Sequence, residues 1–155
     1  MDVLKEVENA LSSAESPETA LRSVCTLLRE GVEHYDWVGF YMVEGDELVL
    51  GPYSGAPTEH VRIGFGEGIC GQAAETGNVF VVQDVSKESN YLSCSPDVRS
   101  EIVLPIYDDG EIIGELDIDS HRISPFGDED RKMLEKVCSM VAKTVRRCGN
   151  GKKHI

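Results

Sequence analysis

The chain has 155 residues, of which 41% are hydrophobic and 28% are charged, a composition typical of one folded domain with a single hydrophobic core. Its 28 acidic and 15 basic residues give a formal net charge of -13 at pH 7. A surface this negative repels phosphate backbones and anionic lipid heads, which argues against binding to nucleic acid or to a membrane.

The N-terminal third is predicted to hold two helices followed by a β-hairpin. Residues 1–13 place apolar side chains at helical spacing, and a second helix is predicted to begin near Ser16. The hydrophobic period then shortens to that of strands over residues 36–43 and 47–52, which are joined by a turn containing Gly45. We therefore expect helices packed against the start of an antiparallel sheet.

The middle of the chain is predicted to be mostly loop. Residues 55–68 are irregular and glycine-rich, and a short helix from about Ile69 to Thr76 is predicted to end at Gly77. A strand over 79–82 follows, and residues 84–99 are predicted to form a long polar loop. Loops of this length in compact domains are usually functional.

The last third is predicted to be a second hairpin and a long helix. Strands over 100–107 and 111–120 flank a strong turn signal that ends in Gly110, and an amphipathic helix begins after Pro125. The predicted fold class is therefore α+β, with a mainly antiparallel central sheet and the N- and C-terminal helices packed on one face.

The chain is predicted to be one domain over residues 1–147 with a flexible tail over 148–155. Its N-terminus lacks the basic start and apolar run of a secretory signal, and no stretch has the roughly 18 apolar residues of a membrane span. We therefore expect a cytoplasmic protein whose cysteines are mostly reduced. The cysteines have no zinc-binding spacing, so no metal site is predicted. The five are Cys25, Cys70, Cys94, Cys138 and Cys148.

Two of these cysteines lie in loops that favour reactivity. Cys94 lies in a polar loop, where a thiol is accessible and ionises if positive dipoles are near. Cys70 lies between glycines at the predicted start of a helix, where the helix dipole is expected to lower its pKa. An inert loop residue and a small packing residue are the respective alternatives. Cys25 and Cys138 lie on apolar helix faces and are predicted to be core residues.

Three acidic residues fall on predicted strands of the second hairpin. Asp117 and Asp119 alternate with apolar residues and so share one face of their strand, and Glu101 begins the neighbouring strand. Three acids on a partly buried face repel one another, which raises the pKa of at least one. This pattern favours cation binding or proton donation. The alternative is a solvated sheet face.

Trp37 and Tyr41 are four residues apart on the first predicted strand and share a face. Such an aromatic pair can form the wall of a small pocket. Ordinary core packing is the alternative for these two residues.

Several segments, in this order and spacing, resemble those of the GAF-domain free methionine-(R)-sulfoxide reductases, and the resemblance covers about residues 36–135. The segments are WVGFY (37–41), LVLGPYSG (48–55), RIGFGEGICGQA (62–73), VVQDV (81–85), SEIVLPI (100–106), GELDIDS (114–120) and F-x-x-x-D (126–130).

The resemblance implies a GAF-like fold and an enzyme that reduces the R epimer of free, not protein-bound, methionine sulfoxide. It implies a cysteine sulfenic acid and a disulfide that thioredoxin or a similar dithiol reduces, with no cofactor. It also admits a homodimer formed through the terminal helices. The site residues that it implies are Cys94 as nucleophile, Cys70 as second cysteine, and Trp37, Tyr41, Glu101, Asp117 and Asp119 in contact with the substrate.

One position departs from the family pattern. Many members carry a further cysteine where this chain has His60, and the residues on either side of Cys94 also differ. The departure leaves the resolving role of Cys70 open. Two other functions remain as alternatives: a noncatalytic GAF sensor of a small molecule, and a redox switch in which Cys70 pairs with Cys94.

Overall fold

A six-stranded sheet is the central element of the computed structural model, which describes residues 2–88 and 96–153. Its strands are β1 (Trp37–Glu44), β2 (Glu47–Ser54), β3 (Arg62–Gly64), β4 (Phe80–Val82), β5 (Ser100–Asp108) and β6 (Glu111–Ser120). The strand order is β3-β2-β1-β6-β5-β4, and every neighbouring pair is antiparallel. The predicted antiparallel sheet is confirmed.

Helices pack on the two faces of this sheet. They are α1 (Val3–Ser13), α2 (Pro17–Gly31), α3 (Gly68–Thr76) and α4 (Asp128–Lys153). The first two begin where the sequence provides a capping side chain. Asp2 accepts a hydrogen bond from the Lys5 backbone N–H at 3.2 Å, and Ser16 accepts one from the Thr19 N–H at 3.1 Å.

A two-residue turn connects β5 to β6, and the register of the two strands shifts by one residue next to Ile106. Asp109 and Gly110 have φ values of 52° and 77°, and positive φ at both positions is the requirement of the turn that suits a right-handed sheet twist. The register pairs Glu101 with Asp119 across the two strands. The turn and the register shift together decide which side chains of β5 and β6 are neighbours.

Two apolar clusters divide the molecule at the sheet. The larger one lies between the sheet and helices α1, α2 and α4, and includes Leu116 and Ile118 of β6. The smaller one lies on the opposite face, where α3 contributes Ile69 and Cys70. Because neighbours on a strand point to opposite faces, every second residue of β6 points toward α3.

Helix α4 continues beyond residue 147, where the sequence predicts a tail to begin. Cys148 is 7% exposed and belongs to the larger cluster. In the described ranges, no helix combines the length and the apolar character needed to cross a membrane.

The short strand β3 lies in the region that the sequence predicts to be irregular. It has three residues and pairs with β2 from Glu47 to Val49. Its pairing brings the following turn and the start of α3 over the sheet.

Candidate active site

A tight glycine-rich turn places Cys70 over the sheet. Gly66 and Gly68 adopt φ values of 90° and 62°. Glycine is favoured at such positive φ values because it has no Cβ to clash with the backbone. The Gly66 N–H donates to the Gly71 carbonyl at 2.8 Å, and a Cβ on Gly71 would come within 2.4 Å of the Gly64 carbonyl oxygen. The turn therefore packs closely against the first turn of α3 and holds the thiol of Cys70 toward β5 and β6.

Three acidic side chains lie beneath this thiol. Glu101, Asp117 and Asp119 are 4%, 1% and 0% exposed, so the alternative of a solvated sheet face is wrong. The Cys70 Sγ lies 3.8 Å from the Glu101 Oε2. The other faces of β5 and β6 pack in the helical core, so the three acids point to the opposite face, where α3 lies.

Burial favours the protonated forms of the Cys70 thiol and the Asp117 carboxyl. Burial raises the pKa of Cys70 well above its usual value, and the carboxyls of Asp117 and Glu101 raise it further. Burial also raises the pKa of Asp117, against the opposing effect of hydrogen bonds with Glu101 and Cys70. Two carboxyl groups can hydrogen-bond only if one of them carries a proton. The expectation that the helix dipole lowers the Cys70 pKa is therefore wrong.

A fourth acid, Glu115, lies on the same face of β6 as Asp117 and Asp119, and it was not identified from the sequence as a site residue. It is 0% exposed, and neither of its carboxyl oxygens has a hydrogen-bond partner of normal geometry among the described residues. Burial and the Asp117 carboxyl raise its pKa well above the usual range, and the nearby Cys70 thiol offsets part of this effect. The period of two that links Asp117 to Asp119 extends to Glu115 and could have identified it.

Trp37 and Tyr41 both lie on this face of β1, in the smaller cluster. Trp37 stacks on Tyr53 with ring centroids 5.5 Å apart, and its Nε1–H donates to the Ala56 carbonyl at 2.9 Å. The Tyr41 hydroxyl donates to the His60 carbonyl at 2.9 Å. The two aromatic residues thus tie the loop before β3 to the sheet.

A small cavity leads to the thiol and the acids. Tyr41, His60 and Ile63 line one part of its wall, and Cys70 with two of the acids lines another. His60, where the resemblance leads us to expect a cysteine, is therefore part of the cavity wall. Cys94, the proposed nucleophile, lies outside the described residues.

The remaining described cysteines belong to the other face of the sheet. Cys25, Cys138 and Cys148 are buried in the larger cluster, and burial raises the pKa of Cys25 and Cys138 far above the usual range. Thiols in such surroundings are inert. Cys25 and Cys138 are core residues, as predicted.

The arrangement can supply two things to a bound molecule. The acids supply a proton or a negative charge, and a thiol supplies electrons in a water-poor site. Cys70, Glu101 and Asp117 also bring one ligand atom each within 4.8 Å of one another, which is close enough to hold a metal ion. The described site thus combines thiol, acid and cation-binding chemistry.

Comparison with known proteins places these features in a family. A family model for the GAF domain matches residues 16–145. The free methionine-R-sulfoxide reductase of Escherichia coli is 38% identical over 138 residues, which cover 88% of this chain and 83% of that protein.

Two solved structures of free methionine-R-sulfoxide reductases are also similar to this chain. The type II free methionine-R-sulfoxide reductase of Thermoplasma acidophilum is 37% identical, with a TM-score of 0.83, and the match covers 85% of this chain and 94% of that one. The free methionine-R-sulfoxide reductase of Neisseria meningitidis, solved in complex with its substrate, is 35% identical with a TM-score of 0.87. That match covers 97% of this chain and 90% of the other.

Proposed function

The chain belongs to the free methionine-R-sulfoxide reductases of the GAF domain family, and from this premise we propose that it reduces free L-methionine (R)-sulfoxide to L-methionine. One observation carries the proposal: the thiol of Cys70 is buried against Glu101 and Asp117 at the end of a cavity. Sulfoxide reduction through a disulfide needs an acid to protonate the oxygen and a second thiol to resolve the sulfenic acid. The cluster provides such an acid next to a thiol.

The acids also explain selection of a free amino acid. A carboxylate without a proton can bind the ammonium group of the substrate, and Glu101 and Asp119 are paired across β5 and β6 with both side chains buried. A methionine within a polypeptide has no ammonium group, so it would leave these buried acids without a cation. The site therefore favours the free amino acid over a protein-bound residue.

The reductive step belongs to Cys94 in this proposal. Its thiolate attacks the sulfoxide sulfur while an acid of the cluster protonates the oxygen. The sulfur–oxygen bond of the substrate breaks, free methionine leaves, and Cys94 becomes a sulfenic acid. Methionine sulfur gains two electrons and the sulfur of Cys94 loses two, so the step balances.

Cys70 performs the resolving step. Its sulfur attacks the sulfenic sulfur of Cys94, the disulfide forms, and the hydroxyl leaves as water with the proton of Cys70. In the resting protein the raised pKa of Cys70 keeps this thiol protonated and unreactive. An external dithiol of the thioredoxin class then reduces the disulfide in the cytoplasm.

A turnover assay tests the proposal. The purified chain is incubated with each epimer of free methionine sulfoxide and dithiothreitol, and released methionine is measured. We expect turnover of the R epimer only, and its loss in Cys94→Ser but not in Cys138→Ser, which alters a buried thiol on the opposite face. Absence of turnover with both epimers would contradict the proposal and favour a sensor or a redox switch.

A further inference from the structure

Three buried side chains come together in the geometry of a metal site. Cys70 comes from α3, Glu101 from β5 and Asp117 from β6, and each is at most 4% exposed. In a tetrahedral zinc site with bonds of about 2.0–2.3 Å, ligand atoms lie about 3.3–3.6 Å apart. The Cys70 Sγ and the Glu101 Oε2 are already 3.8 Å apart, so small side-chain rotations bring all three atoms within reach of one ion.

Within residues 2–88 and 96–153, some buried oxygen atoms around these three side chains have no hydrogen-bond partner, which is a second and independent observation. They are both carboxyl oxygens of Glu115 and the Oδ1 of Asp117, and both side chains are at most 1% exposed. A buried polar atom without a partner costs about 1–3 kcal/mol. A cation bound between Cys70, Glu101 and Asp117 would give the Asp117 oxygen a partner, and its positive charge would offset the burial of the neighbouring Glu115 carboxyl.

We propose that the reduced protein binds one thiophilic divalent cation of the zinc class here, with Cys70, Glu101 and Asp117 as its protein ligands. A thiolate ligand selects zinc or cobalt over magnesium and calcium, which take oxygen ligands alone. On binding, the Sγ–H bond of Cys70 breaks and its proton passes to solvent, with no change of oxidation state. The cavity beside Tyr41 and His60 has room for about one water molecule, which would supply a fourth ligand.

Binding has a consequence that rests on the proposed function. The cation would occupy the place of the substrate ammonium and would remove Cys70 from disulfide formation. Zinc would therefore inhibit turnover reversibly, and a chelator would restore it. Metal occupancy of the thiol would also protect it from oxidation while substrate is absent.

A cobalt titration tests the site without any need for catalysis. The full chain carrying Cys94→Ser is reduced, freed of metal and titrated with Co²⁺, whose thiolate-to-metal absorption reports a sulfur ligand. We expect one equivalent to bind and Zn²⁺ to displace it. Cys70→Ser removes the absorption band, and Asp117→Asn weakens binding at least about tenfold. Two matched controls, Cys138→Ser and Glu30→Gln, should keep the absorption band and the cobalt affinity, because these residues lie on the opposite side of the sheet.

The outcomes separate the metal site from the catalytic proposal. No absorption band at stoichiometric Co²⁺, or a band that survives Cys70→Ser, would overturn the site. Thermal unfolding provides a second measure, since Zn²⁺ should raise the Tm of the parent chain but not that of the Cys70 variant. If that variant fails to fold, unchanged cobalt affinity in both Asp117→Asn and Glu101→Gln overturns the site instead. Loss of turnover in the metal-free wild-type chain contradicts the proposed function alone.

Discussion

Replacement of Glu115 by methionine is predicted to stabilise the protein. Both carboxyl oxygens of Glu115 are buried without a hydrogen-bond partner among the described residues. Since such burial costs about 1–3 kcal/mol and methionine has a similar volume, Glu115→Met should raise the free energy of unfolding by about that amount at pH 7. For a chain of this size, each kcal/mol corresponds to about 2–4 °C in Tm.

The gain should depend on pH with a defined sign. Burial and the Asp117 carboxyl raise the folded-state pKa of Glu115 above its unfolded value of about 4.3. Between these two values the folded state binds more protons than the unfolded state, so this residue lowers stability as pH rises. The advantage of Glu115→Met should therefore grow from pH 5 to pH 8, by at most about 1.4 kcal/mol per pH unit.

Urea unfolding of the reduced, metal-free protein at several pH values is the assay. Glu115→Gln removes the titration but keeps a buried polar group, so it should lose the pH dependence and gain less stability than methionine. Glu30→Gln, an exposed position on α2, should change neither quantity. A Glu115→Met protein that is less stable than wild type, or a difference in stability that stays constant from pH 5 to pH 8, would show that the buried Glu115 carboxyl does not destabilise the fold.

Three further variants test other parts of the molecule. Cys70→Ser should release one equivalent of methionine from the R epimer in a single turnover but lose recycling by thioredoxin; full recycling would remove Cys70 from the mechanism. Asp119→Asn should lower kcat/KM for the free substrate by about 100-fold, and unchanged kinetics would mean that this acid does not act on the substrate. Asp130 accepts hydrogen bonds from the Tyr35 hydroxyl at 2.6 Å and the Gly127 N–H at 2.8 Å. Although burial alone raises its pKa, these bonds outweigh burial and lower it. Asp130→Asn should therefore lower the free energy of unfolding by about 1.5–3 kcal/mol at pH 7, without effect on turnover. Because a lowered carboxyl pKa stabilises the fold only above the unfolded value of about 3.9, urea unfolding should show this difference shrinking below about pH 4. An equal loss of stability at pH 7 and below pH 4 would contradict a lowered pKa for Asp130.

Local sequence signals predicted the elements that local chemistry decides. Ser16 caps α2, Gly77 ends α3 with a φ of 72°, and the turn at Gly110 joins β5 to β6, all as the sequence indicates. Strand β3 was missed because its three residues become a strand only by pairing with β2, which lies earlier in the chain. Short edge strands of this kind carry little sequence pattern of their own.

In the candidate site, too, the sequence predicted the features set by neighbouring residues and failed for those set by tertiary packing. Alternation along β6 correctly placed Asp117 and Asp119 on one face, and the same alternation includes Glu115. The sequence could not decide whether that face is solvated, because its burial depends on how α3 packs over it. The pKa of Cys70 was predicted in the wrong direction for the same reason, since the helix start is a local feature and the opposing acids come from β5 and β6.

Comparison of free and N-acetylated methionine (R)-sulfoxide tests most directly whether the buried acids recognise the substrate ammonium. Acetylation removes that positive charge and leaves the sulfoxide unchanged. We predict that kcat/KM falls by about 10³-fold or more for the acetylated compound, because the acids of β5 and β6 are then buried without their cation. Similar kcat/KM values for the two compounds would contradict it.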